Sequence, residues 1–255
     1  MGDLTGRRAL VTGASRGIGA AIARRLAEQG ADVVVTARSA TAIEELAKEL
    51  GEFGVRALAV PADMADRSSL QALTDQVGAE FGGLDILVNN AGVFPAANRA
   101  ERLSWADWDA TMGVNLEAPF FLACRAKELM GEAGGVVVNN ASTAAYYPTR
   151  GLAAYNISKA ALVMMTRVLA LEWARENVRV VGVAPGKIDT ELVQPVLRWT
   201  EKHEIPLNPQ QRIGESTEVA DLVAFLVSDQ AAYLTGITVP IDGGELLTAG
   251  GEPGR

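Results

Sequence analysis

Tyr155 and Lys159 stand at positions i and i+4 of the stretch YNISK, and Ser142 precedes them in the chain. On a helix, residues at i and i+4 share one face, one turn apart. A phenol titrates at about pH 10 and is a poor acid–base catalyst at neutral pH. An ammonium beside it favours the phenolate and lowers that value toward the working range. A serine hydroxyl at the end of a neighbouring strand can hold a substrate oxygen. The three types together supply a proton-transfer group, a charge that tunes it and a hydroxyl that orients what it acts on.

A second constellation lies near the start. The stretch TGASRGIG sets Gly13, Gly17 and Gly19 between an apolar run and a helical pattern. A tight strand-to-helix turn needs positions free of a Cβ clash, and a bare backbone lets a pyrophosphate approach closely. The helix N-terminus adds N–H donors and positive potential. The spacing is G-x-x-x-G-x-G rather than the usual G-x-G-x-x-G, but the strand–turn–helix context is the one that a dinucleotide fingerprint requires.

Residues this far apart need a scaffold to bring them together. Short β-branched runs supply candidate strands at 8–12, 32–36, 55–60, 85–89, 135–140, 178–183 and 237–241. Helical patterns lie between them at 20–29, 42–50, 68–80, 105–130, 152–176 and 218–227. Gly30 and Gly51 act as stop signals, and Ser216 or Thr217 in ESTE as a cap. Continuous apolar strands alternating with helices read as βαβ units. The expected fold class is α/β, a Rossmann-type doubly wound parallel sheet with helices on both faces. No repeat or low-complexity linker divides the chain, so one domain over residues 1–255 is expected. The stretch 190–213, with Pro195, Pro206, Pro209, Trp199 and His203, reads as an irregular, mobile flap, and 248–255 as a frayed tail.

Composition narrows the partners. The 255 residues are 49% hydrophobic and 21% charged, with a formal net charge of −8. That length and balance suit one large globular α/β domain. An acidic chain is a poor ligand for nucleic acid or anionic lipid. Cys124 is the single cysteine and His203 the single histidine, so neither an internal disulfide nor a zinc or other metal site is expected. The start MGDLTGRRALV does not read as a signal peptide, and no apolar run approaches the roughly 20 residues of a membrane span. A soluble, cytoplasmic protein is expected.

TGASRGIG resembles the glycine motif of the short-chain dehydrogenase/reductase family, and further motifs follow in that family's order. They are NNAG (89–92), Asn115 in the long helix after it, Ser142 closing the fifth strand, YNISK (155–159), APG (184–186) and LTGITVPIDGG (234–244). The resemblance covers essentially the whole chain, and its overall pattern is similar to 3-oxoacyl carrier-protein reductases. It implies that Tyr155 protonates a carbonyl during reduction, that Lys159 binds the nicotinamide ribose and tunes Tyr155, and that Ser142 orients the substrate oxygen. Asn115 is implied to hold a water linking Lys159 to solvent. The resemblance also implies a cofactor site of Gly13, Ser15, Arg16, Gly17, Ile18 and Gly19 in the turn and Asp63 and Met64 at the adenine. Asn90, Ala91 and Gly92 follow along the ribose and nicotinamide, and Pro185, Gly186, Ile188 and Thr190 at the carboxamide. Where many relatives carry an apolar or aromatic residue this chain has Lys187, read as surface variation in preference to a substrate contact.

Relatives that bind NAD usually end the second strand with an acid for the ribose hydroxyls. Here the strand ends Thr36-Ala37-Arg38. Loss of the carboxylate removes repulsion against a 2′-phosphate, and the Arg38 guanidinium is suited to bind one, with Arg16 reaching from the other side. NADP(H) is therefore favoured over NAD(H). The expected reaction interconverts a ketone or β-keto group and a secondary alcohol. An NAD-dependent alcohol or sugar dehydrogenase is the alternative, and an idle cofactor-binding sensor or scaffold a lesser one. Candidate substrate contacts are Phe94, Ala144, Tyr146, Tyr147, Leu152, Leu192, Trp199 and His203. MGEAGG (130–135) has no basic residue and ARENV (174–178) sets one arginine among acids, which weakens a carrier-protein partner. The resemblance further implies a homotetramer built on 105–130, 152–176 and the last strand.

Overall fold

The computed structural model describes residues 3–191, 193–202 and 208–248. Seven strands, β1 (Arg8–Thr12), β2 (Asp32–Thr36), β3 (Ala57–Ala59), β4 (Ile86–Asn89), β5 (Gly135–Asn140), β6 (Val178–Pro185) and β7 (Thr238–Ile241), form one sheet in the order β3-β2-β1-β4-β5-β6-β7. Every pairing is parallel, with Leu10 opposite Val34 on one side and Leu87 on the other.

The β-branched runs make this possible because both faces of the sheet are covered. Alternate strand residues feed two cores. Val11, Val35, Val88, Val138 and Val183 pack beneath α1 (Gly17–Glu28), α2 (Ala40–Gly51) and α8 (Ser216–Val227). Leu10, Val34, Leu87, Val137 and Val180 pack beneath α3 (Arg67–Phe81), α5 (Ala118–Met130) and α6 (Ala153–Trp173). The fold is thus the doubly wound Rossmann-type α/β sheet read from the sequence. Strand order reverses between β1 and β4, and in such sheets the crevice for a ligand opens at that switch, outside the carboxyl ends of the strands.

The differences from the sequence reading are local. β3 keeps only three of its six expected residues. The helix expected over 105–130 is broken: α4 (Trp105–Met112) and α5 are joined by a π-helical turn, Gly113–Glu117, centred on Asn115. The stretch 190–213 is not irregular throughout, since Gln194–Lys202 forms helix α7. The cap of α8 is neither Ser216 nor Thr217 but Glu215, whose side chain and that of Glu218 satisfy each other's backbone N–H in a capping box. Among the described residues, no helix is long and apolar enough to cross a membrane.

Candidate active site

The crevice between the carboxyl ends of β1 and β4 opens into a cleft of about 830 Å³. Its lining includes every cofactor residue read from the sequence, from Gly13 to Thr190, together with Ser142, Tyr155 and Lys159. Among the catalytic and cofactor residues read from the sequence, Asn115 is not part of that lining, nor are the substrate candidates Phe94, Ala144, Tyr146, Tyr147 and Leu152.

The glycine turn is bare for steric reasons. Gly13 sits at φ +64°, and a Cβ there would meet Ala91 Cα at 2.7 Å; a Cβ at Gly19 would run into the Gly13 carbonyl oxygen. Helix α1 begins at Gly17 with no side-chain cap and no acid in its first turn. Its first N–H groups therefore face the cleft unpartnered by side chains, a ready anion site. Buried Thr12 holds the opposite wall, its Oγ accepting from the backbone N–H of both Asn90 and Ala91 at 3.0 Å. Asn90 itself looks inward. Its amide donates to the carbonyls of Thr12 and Gly13, and its Oδ1 accepts from Asn140, so its backbone carbonyl is what is left for a ligand.

Arg38 is exposed at the mouth of the cleft beside Ala37 and Ser39. Arg16, read as the second arginine for the phosphate, pairs its guanidinium with Glu191 at 2.8 Å. Asp63 is exposed and accepts from the Ala65 N–H, with Met64 buried beside it.

At the inner end of the cleft, Lys159 is only 4% exposed, and its Nζ donates to the Asn140 carbonyl at 2.8 Å and lies 5.8 Å from the centre of the Tyr155 ring. Burial alone pulls its ammonium down to about 8. The sequence reading had the lysine lowering the phenol of Tyr155; here burial wins and pushes that phenol up, with the neighbouring Ser142 hydroxyl acting in the opposite direction. The Tyr155 ring is held edge-on by Phe94, centroids 4.8 Å apart. Ser142 caps the short turn Thr143–Ala145, its Oγ accepting from the Ala144 N–H at 3.1 Å.

Asn115 is fully buried and acts as a clamp. Its Oδ1 accepts from the Val93 N–H at 2.8 Å, and its Nδ2 donates to the Val93 carbonyl and to Ser158. It does not bond Lys159; a Cβ built on Gly92 would lie 3.4 Å from Asn115 Oδ1 and 3.7 Å from Lys159 Nζ, so the glycine stands between them.

Two features escaped the sequence reading. Asn156, next to Tyr155, donates to the carbonyls of Ala144 and Tyr147 and fastens α6 to the Ser142 segment. Lys187 is not a surface residue: its side chain is 14% exposed and pairs with the buried carboxylate of Glu245. Neither left a local signal, because each depends on a partner that only the fold brings into contact. Of the other substrate candidates, Ala144 and Leu152 are buried and Tyr146 is exposed. Leu192 and His203 lie outside the described residues, as does the side chain of Trp199.

The fold and this cleft define a doubly wound α/β protein of the dinucleotide-binding type. The sequence profile of the enoyl-(acyl carrier protein) reductase family matches residues 13–245. The chain is 41% identical to D-threitol dehydrogenase of Mycolicibacterium smegmatis, over 94% of this chain and 93% of that one. It is 35% identical to 3-oxoacyl-[acyl-carrier-protein] reductase of Staphylococcus aureus, over 93% and 97%. Its structure is similar to L-sorbose reductase of Gluconobacter frateurii complexed with NADPH and L-sorbose (TM-score 0.90, 34% identity, 95% and 97% covered). The chain belongs to the short-chain dehydrogenase/reductase family.

Proposed function

We propose that this oxidoreductase interconverts a ketone, or β-keto group, and a secondary alcohol, using NADP(H), with Tyr155 as the proton-transfer group. The observation that carries the reading is that Tyr155, Ser142 and buried Lys159 line the inner end of one cleft, with the glycine turn along the same lining.

The residues fit a dinucleotide. The uncapped start of α1 and the cradle that a Cβ at Gly13 or Gly19 would fill suit a pyrophosphate. Pro185, Gly186, Ile188 and Thr190 line the far wall, where the nicotinamide end would lie. When bound, the cofactor supplies or accepts the hydride. The protein's part is the proton. Burial keeps the Tyr155 phenol protonated at neutral pH, which suits donation to a carbonyl oxygen as it gains charge. Ser142 Oγ is fixed as an acceptor by the Ala144 N–H, which leaves its hydroxyl proton to orient that oxygen. Lys159 places a positive charge beside the ring and would stabilise the phenolate that forms as the proton leaves. Asn115 is placed here as a clamp on Val93, one step removed from the reacting atoms.

Ala37-Arg38 in place of an acid supports the preference for NADP(H), since a guanidinium binds a phosphate strongly and a carboxylate repels one. The similarity to a sugar reductase and a polyol dehydrogenase supports a small hydroxylated carbonyl substrate. Similarity to a 3-oxoacyl reductase makes a carrier-bound acyl group the second reading. A single catalytic domain in a reducing, cytoplasmic setting, assembled as a homotetramer, completes the proposal. The test is NADPH oxidation with L-sorbose, erythrulose, ethyl acetoacetate and a β-ketoacyl thioester. Turnover of at least one carbonyl is expected, and no turnover of any of them refutes the reading.

A further inference from the structure

We propose that the pair of half-buried Lys187 and buried Glu245, with Thr143, is a positioning device that holds Ser142 and the loop after β6 in register across the active site. The inference rests on the carbonyl–alcohol reading above.

Three segments meet at one carboxylate. Glu245 follows β7 and is 2% exposed. Its Oε1 accepts from Lys187 Nζ, on the loop that carries Pro185, Gly186 and Ile188. Its Oε2 accepts a long hydrogen bond (3.3 Å) from the hydroxyl of Thr143, the residue after Ser142. A Cβ built on Gly186 would lie 2.8 Å from the same oxygen, so the carboxylate packs directly beneath the cleft wall. Glu245 is itself held. Asp242 accepts from the N–H groups of Gly244 and Leu246, fixing the turn, and the Gly186 N–H donates to Ile241. The charge is felt nearby: burial and Glu245 together push the phenol of Tyr147 up to about 12.

A buried ion pair is a poor way to gain stability, because desolvation offsets its attraction and an apolar pair of similar volume does as well or better. What it fixes is geometry. Lys187 and Glu245 satisfy each other only when the loop after β6, the turn after β7 and the Thr143 segment are in one arrangement. That arrangement sets the wall of the cleft on one side and the Ser142 hydroxyl on the other. Neither side chain lines the cofactor cleft, so both act through the segments they hold.

The test uses the full chain with NADPH and whichever carbonyl of the panel the wild type turns over. The variants are Glu245→Gln, Lys187→Met, the double variant, Lys187→Arg and Thr143→Val. Glu245→Gln takes the buried carboxylate from beside Lys187, and Lys187→Met leaves that carboxylate without the ammonium; each should lower the melting temperature. The double variant removes both charges and should regain much of that loss. Its turnover should nonetheless stay about tenfold low and its NADPH dissociation constant raised, as small misplacements at a reacting centre cost that much. Lys187→Arg keeps the pair and should lose least. Thr143→Val keeps the ion pair and removes the Thr143 hydroxyl that joins Glu245 to the Ser142 segment, so turnover should fall several-fold with NADPH affinity unchanged.

A folded double variant with wild-type turnover and wild-type NADPH affinity overturns the proposal and leaves a purely structural pair. If the double variant does not fold, Thr143→Val decides: normal turnover there overturns the link to Ser142. The two readings fail separately. A wild type that turns over no carbonyl refutes the activity. The pair is then judged on NADPH affinity, which must weaken in the double variant.

Discussion

At the residue scale, the environment of Tyr155 and Lys159 makes two predictions. Tyr155→Phe keeps the ring against Phe94 and removes only the ionisable oxygen. Fold and NADPH affinity should survive while turnover falls by about 10²–10⁴, the usual worth of general acid catalysis. Near-normal turnover in the folded variant contradicts the mechanism. Lys159 carries the second prediction. Its buried ammonium titrates at about 8 against an ordinary 10.5, so the folded apoprotein holds fewer protons than the unfolded chain between those values. Unfolding free energy must therefore rise with pH across that window, and at pH 7 the charge costs up to about 3 kcal/mol. Lys159→Met should abolish turnover yet raise the melting temperature of the apoprotein at pH 7, with the gain shrinking toward pH 10. A gain that does not change with pH is the opposing result.

The identities of these residues were legible because i, i+4 spacing and a strand-end serine are local facts. The direction of the Tyr155 shift was not. Whether burial or the neighbouring ammonium dominates depends on how deeply α6 is packed, and that depth is set by α4, β5 and the Ser142 segment together. Lys187 failed for the same reason, since its partner lies on the far side of α8 and β7 in the chain.

At the scale of elements, the β-branched runs predicted strands well because both faces of a parallel sheet are buried and the apolar run must be continuous. The π-helical turn around Asn115 left no such mark. A π turn inserts one residue into a helix, and nothing in GVNLE distinguishes it from an ordinary turn. Its effect is to bring the Asn115 amide onto both polar groups of Val93. Asn115→Ala should leave that N–H and carbonyl unpaired, costing about 1–3 kcal/mol for each buried group stranded. Thermal unfolding should show the loss, and turnover should fall because Val93 and Gly92 form the cleft wall next to Lys159. A variant as stable as wild type argues against the clamp. Helix α7 escaped notice because Pro195 and Pro206 punctuate its surroundings, although proline is tolerated in a first helical turn.

At the scale of the whole molecule, the apolar surface is not evenly spread. On α6 the residues Ile157, Met164, Val168 and Leu171 are 48%, 54%, 43% and 84% exposed, and Phe120 on α5 is 50% exposed. The α6 positions recur at helical spacing and so form one stripe, opposite the face that Leu162, Val163, Thr166 and Leu169 bury in the core. A helix apolar on two sides asks for a second partner, and a long exposed stripe is a surface that monomers rarely keep. In a homo-oligomer the simplest partner is the same stripe on a second copy, related by a twofold axis, since one patch then covers the other. Light scattering at micromolar concentration should give the mass of an oligomer, four chains by the reading above. Leu171→Asp, placed at the most exposed point of the stripe, should reduce that mass while leaving the circular dichroism unchanged, because the residue contributes nothing to the monomer core. A wild type with the mass of one chain, or a Leu171→Asp protein that keeps the full oligomer, takes this stripe out of the interface. The two copies would bring four apolar residues each to the seam, with the acidic surface of the molecule, at a net charge of −8, kept outside it. Raising the salt concentration should therefore strengthen the assembly, by screening repulsion between like-charged chains without touching the apolar contact.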